Sequence, residues 1–149
     1  MKKITLLALI LCFSFACQNN APAEDNTENS SISESESLKK EVMDIHDEVM
    51  PQMTPMAKLQ AQLQNASIGS ADSITYMTAA QDLKFAKQAM MEWMRNFSST
   101  FNDNMSETEK IEFLTAEKNK MQRIDSLTKK ALEQGQEIFT AIPVAQDSL

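Results

Sequence analysis

His46, the only histidine of this 149-residue chain, lies in a run rich in thioethers. Met43, Met50, Met53 and Met56 fall within ten residues of it, and Pro51 and Pro55 stand between them. Met43, His46, Met50 and Met53 sit at offsets of 0, 3, 7 and 10, one stripe of an α-helix. A second thioether group, Met90, Met91 and Met94, surrounds the only tryptophan, Trp93. Thioether and imidazole donors suit a soft ion, so the chemistry these residues point to is Cu(I) binding. His46 with Met43 or Met50 would supply the first ligands, Met90, Met91 or Met94 the rest, and Trp93 a cation–π contact. Haem held between His and Met fits less well, since the chain has no Cys-x-x-Cys-His attachment sequence. The competing reading is packing. Methionine fills irregular gaps and contacts aromatic rings favourably. A proline kink at Pro51 opens such a gap, with Trp93, Phe97 and Met53 against it. The packing reading asks for no cofactor and is preferred; Cu(I) is the alternative.

Other reactive constellations are thin. Asp44, Asp47 and Glu48 flank His46 without the second histidine a zinc site would use. Ser98-Ser99 has no recognisable base, and two glycines cannot build a phosphate loop. No catalytic residue is assigned and no enzymatic activity is expected. Glu117-Lys118-Asn119-Lys120 and Lys129-Lys130 read as solvated faces.

The elements that must position these residues are helical throughout. Leu38, Val42, Ile45, Val49, Met53, Met56, Leu59 and Leu63 recur at three- and four-residue steps, with Ser37 as the N-cap. The stripe runs through both prolines, which predicts one helix kinked at Pro51 and Pro55, although Thr54 capping a second helix is the other resolution. Asn65 to Asp72 is a turn by composition. A second helix follows from Asp72 to Phe101, its stripe being Tyr76, Ala79, Leu83, Ala86, Met90, Trp93, Phe97 and Phe101. Ser106-Glu107-Thr108-Glu109 is a capping box that opens the third helix. Gly135 is a weak point in it, and Pro143 closes it. The fold class is therefore all-α: an elongated antiparallel three-helix bundle over residues 38–142, each helix about 45 Å long, with residues 143–149 frayed. A turn centred near residue 68 sets His46 level with Met91 and Met43 level with Met94, to within about one helical turn. Met91, Met94, Phe85 and Phe113 fall beside the main stripes and are free to serve a protein partner or a second copy.

The first residues bear on address. Lys2 and Lys3 precede an apolar run, Ile4 to Phe15, which is too short to span a bilayer. Ser14-Phe15-Ala16-Cys17 resembles the lipobox of bacterial lipoproteins, with a small residue before the cysteine. The resemblance implies a signal peptide over residues 1–16 and lipid on Cys17, which would anchor the protein to a membrane rather than thread it through one. Cys12 lies inside the leader, so the mature body has neither a free thiol nor a disulfide. Residues 17–37 are polar and acidic and read as a disordered tether of roughly 25 Å mean span. Glu24, Asp25 and Glu28 resemble the acidic surface-export signals of some Bacteroidota lipoproteins, although they begin only at Glu24. The net charge of −7 becomes −4 for residues 38–149 once leader and tether are removed. An acidic body without a Lys/Arg cluster lacks the phosphate contacts that dominate nucleic-acid affinity, so nucleic acid is excluded as a partner.

Two segments carry a wider likeness. Val42-Met43-Asp44-Ile45-His46-Asp47-Glu48-Val49-Met50-Pro51 and Met90-Met91-Glu92-Trp93-Met94-Arg95-Asn96-Phe97 are similar to small Bacteroidota lipoproteins often labelled "viral A-type inclusion protein". The resemblance covers the lipobox, the tether and most of the first two helices. It implies a helical lipoprotein of the cell envelope, on the outer membrane facing the periplasm or displayed at the surface, and it implies no activity. The expectation is a membrane-anchored protein with a structural or protein-interaction role.

Overall fold

The computed structural model describes residues 33–141, and all of its regular structure is helical. The leader, Cys17, the first part of the tether, Pro143 and the terminal residues 143–149 lie outside the described residues. Helix α1 is Glu34–Val49, followed by a single 3-10 turn at Met50–Gln52 and by α2, Met53–Ala66; α3 is Ser73–Thr100 and α4 is Glu107–Thr140. These form the expected three-helix bundle, its first helix joined from pieces. None of the described helices is long and apolar enough to cross a membrane.

Helix α1 begins one turn earlier than the sequence pattern predicts. Ser33, not Ser37, is the N-cap: its Oγ accepts the Glu36 N–H, and the Glu36 carboxylate accepts the Ser33 N–H. Ser37 has Lys40 three residues on and cannot form this reciprocal box, whereas Ser33 has Glu36. A tertiary contact holds the extra turn. Ser35 is buried, and both its N–H and its Oγ donate to the Glu107 carboxylate, at 3.1 and 2.9 Å. Residues 33–37 thus belong to the bundle and not to a tether.

The prolines kink the first helix without breaking it. Val49, Met50, Gln52 and Met53 all keep right-handed helical dihedrals. The backbone tightens where Pro51 has no N–H to give the carbonyl four residues back. Pro55 falls in the first turn of α2, where proline is tolerated. Gln52 precedes α2 with no side-chain cap, so the kinked continuous helix is the form adopted. The turn into α3 passes through Gly69, whose φ of 72° is the left-handed region that favours glycine. Helix α4 opens on the expected capping box, with Ser106 and Glu109 bonded reciprocally.

The kink also changes helical partners. The backbone of α1 packs chiefly on α4, running parallel to it, whereas α2 packs chiefly on α3 and also touches α4. The core divides accordingly. One cluster joins Met56, Leu59 and Leu63 of α2 to Tyr76, Ala79, Ala80, Leu83 and Ala86 of α3 and Ala131 of α4. The other joins Val42 and Val49 of α1 to Met90 and Trp93 of α3 and Leu114, Met121 and Ile124 of α4. Met53 packs against both. Gly135 is no weak point. It is buried, and a Cβ there would stand 3.0 Å from a Leu59 methyl and 3.2 Å from a Leu83 methyl. Glycine costs a helix about 1 kcal/mol relative to alanine, and here it lets three helices meet.

Candidate functional site

The 3.6-residue repeat puts Trp93, Phe97 and Phe101 on one side of α3, and their rings stack along it. Centroids are 4.9 Å apart for Trp93–Phe97 and 5.5 Å for Phe97–Phe101. Phe113 of α4 leans on both phenylalanines, at 5.8 and 6.0 Å. Lys39 of α1 sits over the Phe101 ring at 4.6 Å, a cation–π arrangement. At the other end of the ladder, the His46 imidazole lies 5.8 Å from the Trp93 ring at a tilt of 41°. Pairs of this kind add about 0.5–1.5 kcal/mol each beyond the area they bury. His46 therefore falls level with Trp93, within one helical turn of the register expected from the turn.

Beneath the ladder lies a buried polar group that the charge pattern did not reveal. The Glu117 side chain is only 5% exposed. One of its carboxylate oxygens accepts the indole N–H of Trp93 at 2.8 Å, and the other accepts the Lys120 ammonium at 2.6 Å. A carboxylate in this position is tolerable only with such donors, since an unpaired buried charge is costly. The run from Glu117 to Lys120 is thus not one solvated face: Lys118 turns to α1 and pairs with Glu41, while Lys120 reaches back to Glu117. Of the second run, Lys129 bridges Glu48 and Asp125, both at 2.9 Å, and those two bonds, Glu48 first, raise its pKa above the usual lysine value. Trp93, Glu117, Lys120 and Arg123, with Ile124 and Leu127, line a groove of about 380 Å³ between α3 and α4.

The histidine and methionines lie in different surroundings. The imidazole is largely covered, its side chain 18% exposed, and Nδ1 lies 2.8 Å from an Asp47 carboxylate oxygen. Met90 is fully buried among Val42, Val49 and Leu114, whereas Met50, Met53 and Met94 are half-buried at the margin of that cluster. Met43 lies in a shallow groove with Glu36, Lys39 and Lys40. Met91 is half exposed in a different groove, on the far side of α3. Adjacent helical residues point about 100° apart, so Met90 and Met91 cannot face one partner together. Of the apolar residues beside the main stripes, Phe113 and Met94 are taken up by the second cluster, while Phe85 and Met91 are left outside.

That outer face is the second notable region. Ile74, Met77, Phe85 and Met91 of α3 are 81%, 45%, 60% and 50% exposed. Phe85 and Met91 lie in a groove of about 710 Å³ that runs from Gln60 of α2 across Lys84, Lys87 and Ala89 to Arg95. Lys87 donates to the Gln60 amide oxygen at 3.3 Å. Lys84, Lys87 and Arg95 take part in none of the ion pairs among the described residues, which lie mainly along α1 and α4. No family model, curated protein or solved structure matches this chain.

Proposed function

We propose that this is a lipid-anchored protein of the cell envelope whose helical body recruits a protein partner. The observation that carries the reading is the outer face of α3. Four large apolar side chains stand in solvent there although the two core clusters close without them. Exposed apolar residues gathered on one element, and not scattered singly, mark interaction surfaces. The anchor rests on Lys2, Lys3, the apolar run to Phe15 and Ala16-Cys17, and the reading assigns the protein no catalysis.

The test is in intact cells, with the full chain carrying a photo-crosslinking residue at position 74, 85 or 133. Position 133 is exposed on α4 and serves as the control face. Positions 74 and 85 should give discrete protein adducts and position 133 none. Cys17→Ser should release the chain from the membrane fraction. Equal labelling from all three positions would remove the interaction role, and membrane retention of the serine variant would remove the lipid anchor.

A second reading, soft-metal binding, is favoured by one observation. A mostly covered imidazole lies beside the Trp93 ring, with Met50 and Met94 at the edge of the same cluster. Titration with Cu(I) against a competing chelator decides it. Stoichiometric binding lost in both His46→Ala and Met50→Leu would establish a site, and its absence would leave these residues to packing.

A further inference from the structure

We infer that the groove along α3 from Lys84 to Arg95 is the docking site for an acidic amphipathic helix of a partner protein. This rests on the interaction role proposed above and gives it an address and a partner chemistry. The lining residues fit that occupant. Phe85 and Met91 supply its apolar lining beside the small Ala89, with Gln60 contributed by α2. From Phe85 to Arg95 the helix advances about 15 Å, close to three turns, which matches an incoming helix with apolar residues at i, i+3 or i+4, and i+7. Methionine adapts its shape to such a partner.

Charge selects the occupant. The chain as a whole carries −7, yet this groove is lined by Lys84, Lys87 and Arg95 against one carboxylate, Glu92. The three cations have no carboxylate partner among the described residues, whereas Lys40 of α1 and Lys118 and Lys129 of α4 are ion-paired. An acidic helix would supply the missing countercharges while its apolar stripe covers Phe85 and Met91. A second copy meeting it through the same face would instead bring the same cations to the seam, an arrangement that like-charge repulsion disfavours. Charges more than about 8 Å away are screened at physiological salt, so the acidic remainder of the body does not cancel the local field.

The experiment uses the purified full chain and a set of synthetic helical peptides with one leucine pattern and either glutamate or lysine at the flanking positions. Fluorescence anisotropy at low and physiological salt should give about tenfold tighter binding for the glutamate peptides, weakening with salt. Charge reversal at Lys84, Lys87 and Arg95 to Glu should invert the preference in favour of the lysine peptides. Phe85→Ser, with its helicity unchanged by circular dichroism, should weaken both. Equal binding of the two peptide sets would overturn the inference, as would a preference for phosphatidylglycerol vesicles over the glutamate peptides. A dimer by sedimentation that Phe85→Ser dissociates would also overturn it, assigning the groove to a second copy. The two levels separate cleanly in cells. Adducts from position 85 that survive charge reversal leave the interaction role standing and remove the acidic helix, whereas the absence of face-specific adducts from the chain with its native cations removes the role itself.

Discussion

The inner and outer sides of α3 differ by a quarter turn of helix and behave as two different materials. Met90 is fully buried and Met91 half exposed. On the inner side each ring of the Trp93 ladder meets another ring, and the buried carboxylate of Glu117 has a donor on each oxygen. On the outer side Phe85 is 60% exposed, and the cations beside it have no ion partner among the described residues. The inner side is covered by the chain's own helices and the outer side is not. A chain whose outer apolar residues add nothing to its own core retains them at a cost in solubility, which is why function is sought there and stability at Trp93.

Substitution at both places should separate the two roles. The largest effect belongs to Trp93→Ala, which removes the ring at the centre of the second cluster and takes a donor from buried Glu117. A loss of about 3–5 kcal/mol in urea unfolding is expected, against less than about 0.5 kcal/mol for Phe85→Ser. Comparable losses at the two positions would dissolve the distinction. Glu117→Ala should cost about 2 kcal/mol, mainly by leaving the indole N–H without its acceptor. The Lys120 side chain is 57% exposed and returns to water, so its share is small.

A smaller effect of opposite sign sharpens the picture of the inner side. Thr128 is buried on α4, and its hydroxyl has no hydrogen-bond partner among the described residues. Thr128→Val keeps the shape and removes the unmatched group, so a gain of about 1 kcal/mol is expected in the same unfolding experiment. The smallest effect is with pH. The Glu107 carboxyl is held below its ordinary value of 4.5, first by the backbone N–H of Ser35 and then by the Ser35 hydroxyl. Glu109 is lowered by the hydroxyl and then the N–H of Ser106. Both depressed groups contribute stability that is present above 4.5 and lost as pH falls through their lower folded values. The urea midpoint should therefore decline on acidification, and Ser35→Ala should flatten part of that decline. A Ser35→Ala profile parallel to wild type would show that the clamp on Glu107 does not reach global stability.

Much of the scaffold is legible from residue order alone, because it depends on neighbours three or four positions apart. The apolar stripes, the turn at Gly69 and the capping box at Ser106 are local patterns, and each reappears in the fold. The kink at Pro51 is equally local: a ring without an N–H perturbs its own turn whatever lies around it. The Ser33 box was also there to be read, but a serine-rich acidic run masks it, and the contact that holds it, Ser35 to Glu107, spans 72 residues.

What only the tertiary structure decided are the matters that depend on which helix lies opposite. A glutamate in a charged run looks solvated until Trp93 of α3 arrives with an N–H for it. Nothing in the spacing of Glu117, Lys118 and Lys120 says which of them will turn inward. Likewise, thioethers counted along a sequence form one cluster, while on a helix with 100° between residues they are dealt to opposite sides. Residue order determined that Met90 and Met91 sit on α3. Packing against α1 and α4 decided that one belongs to the core and the other to the groove beside Phe85, because burial is a property of the facing surface and not of the residue.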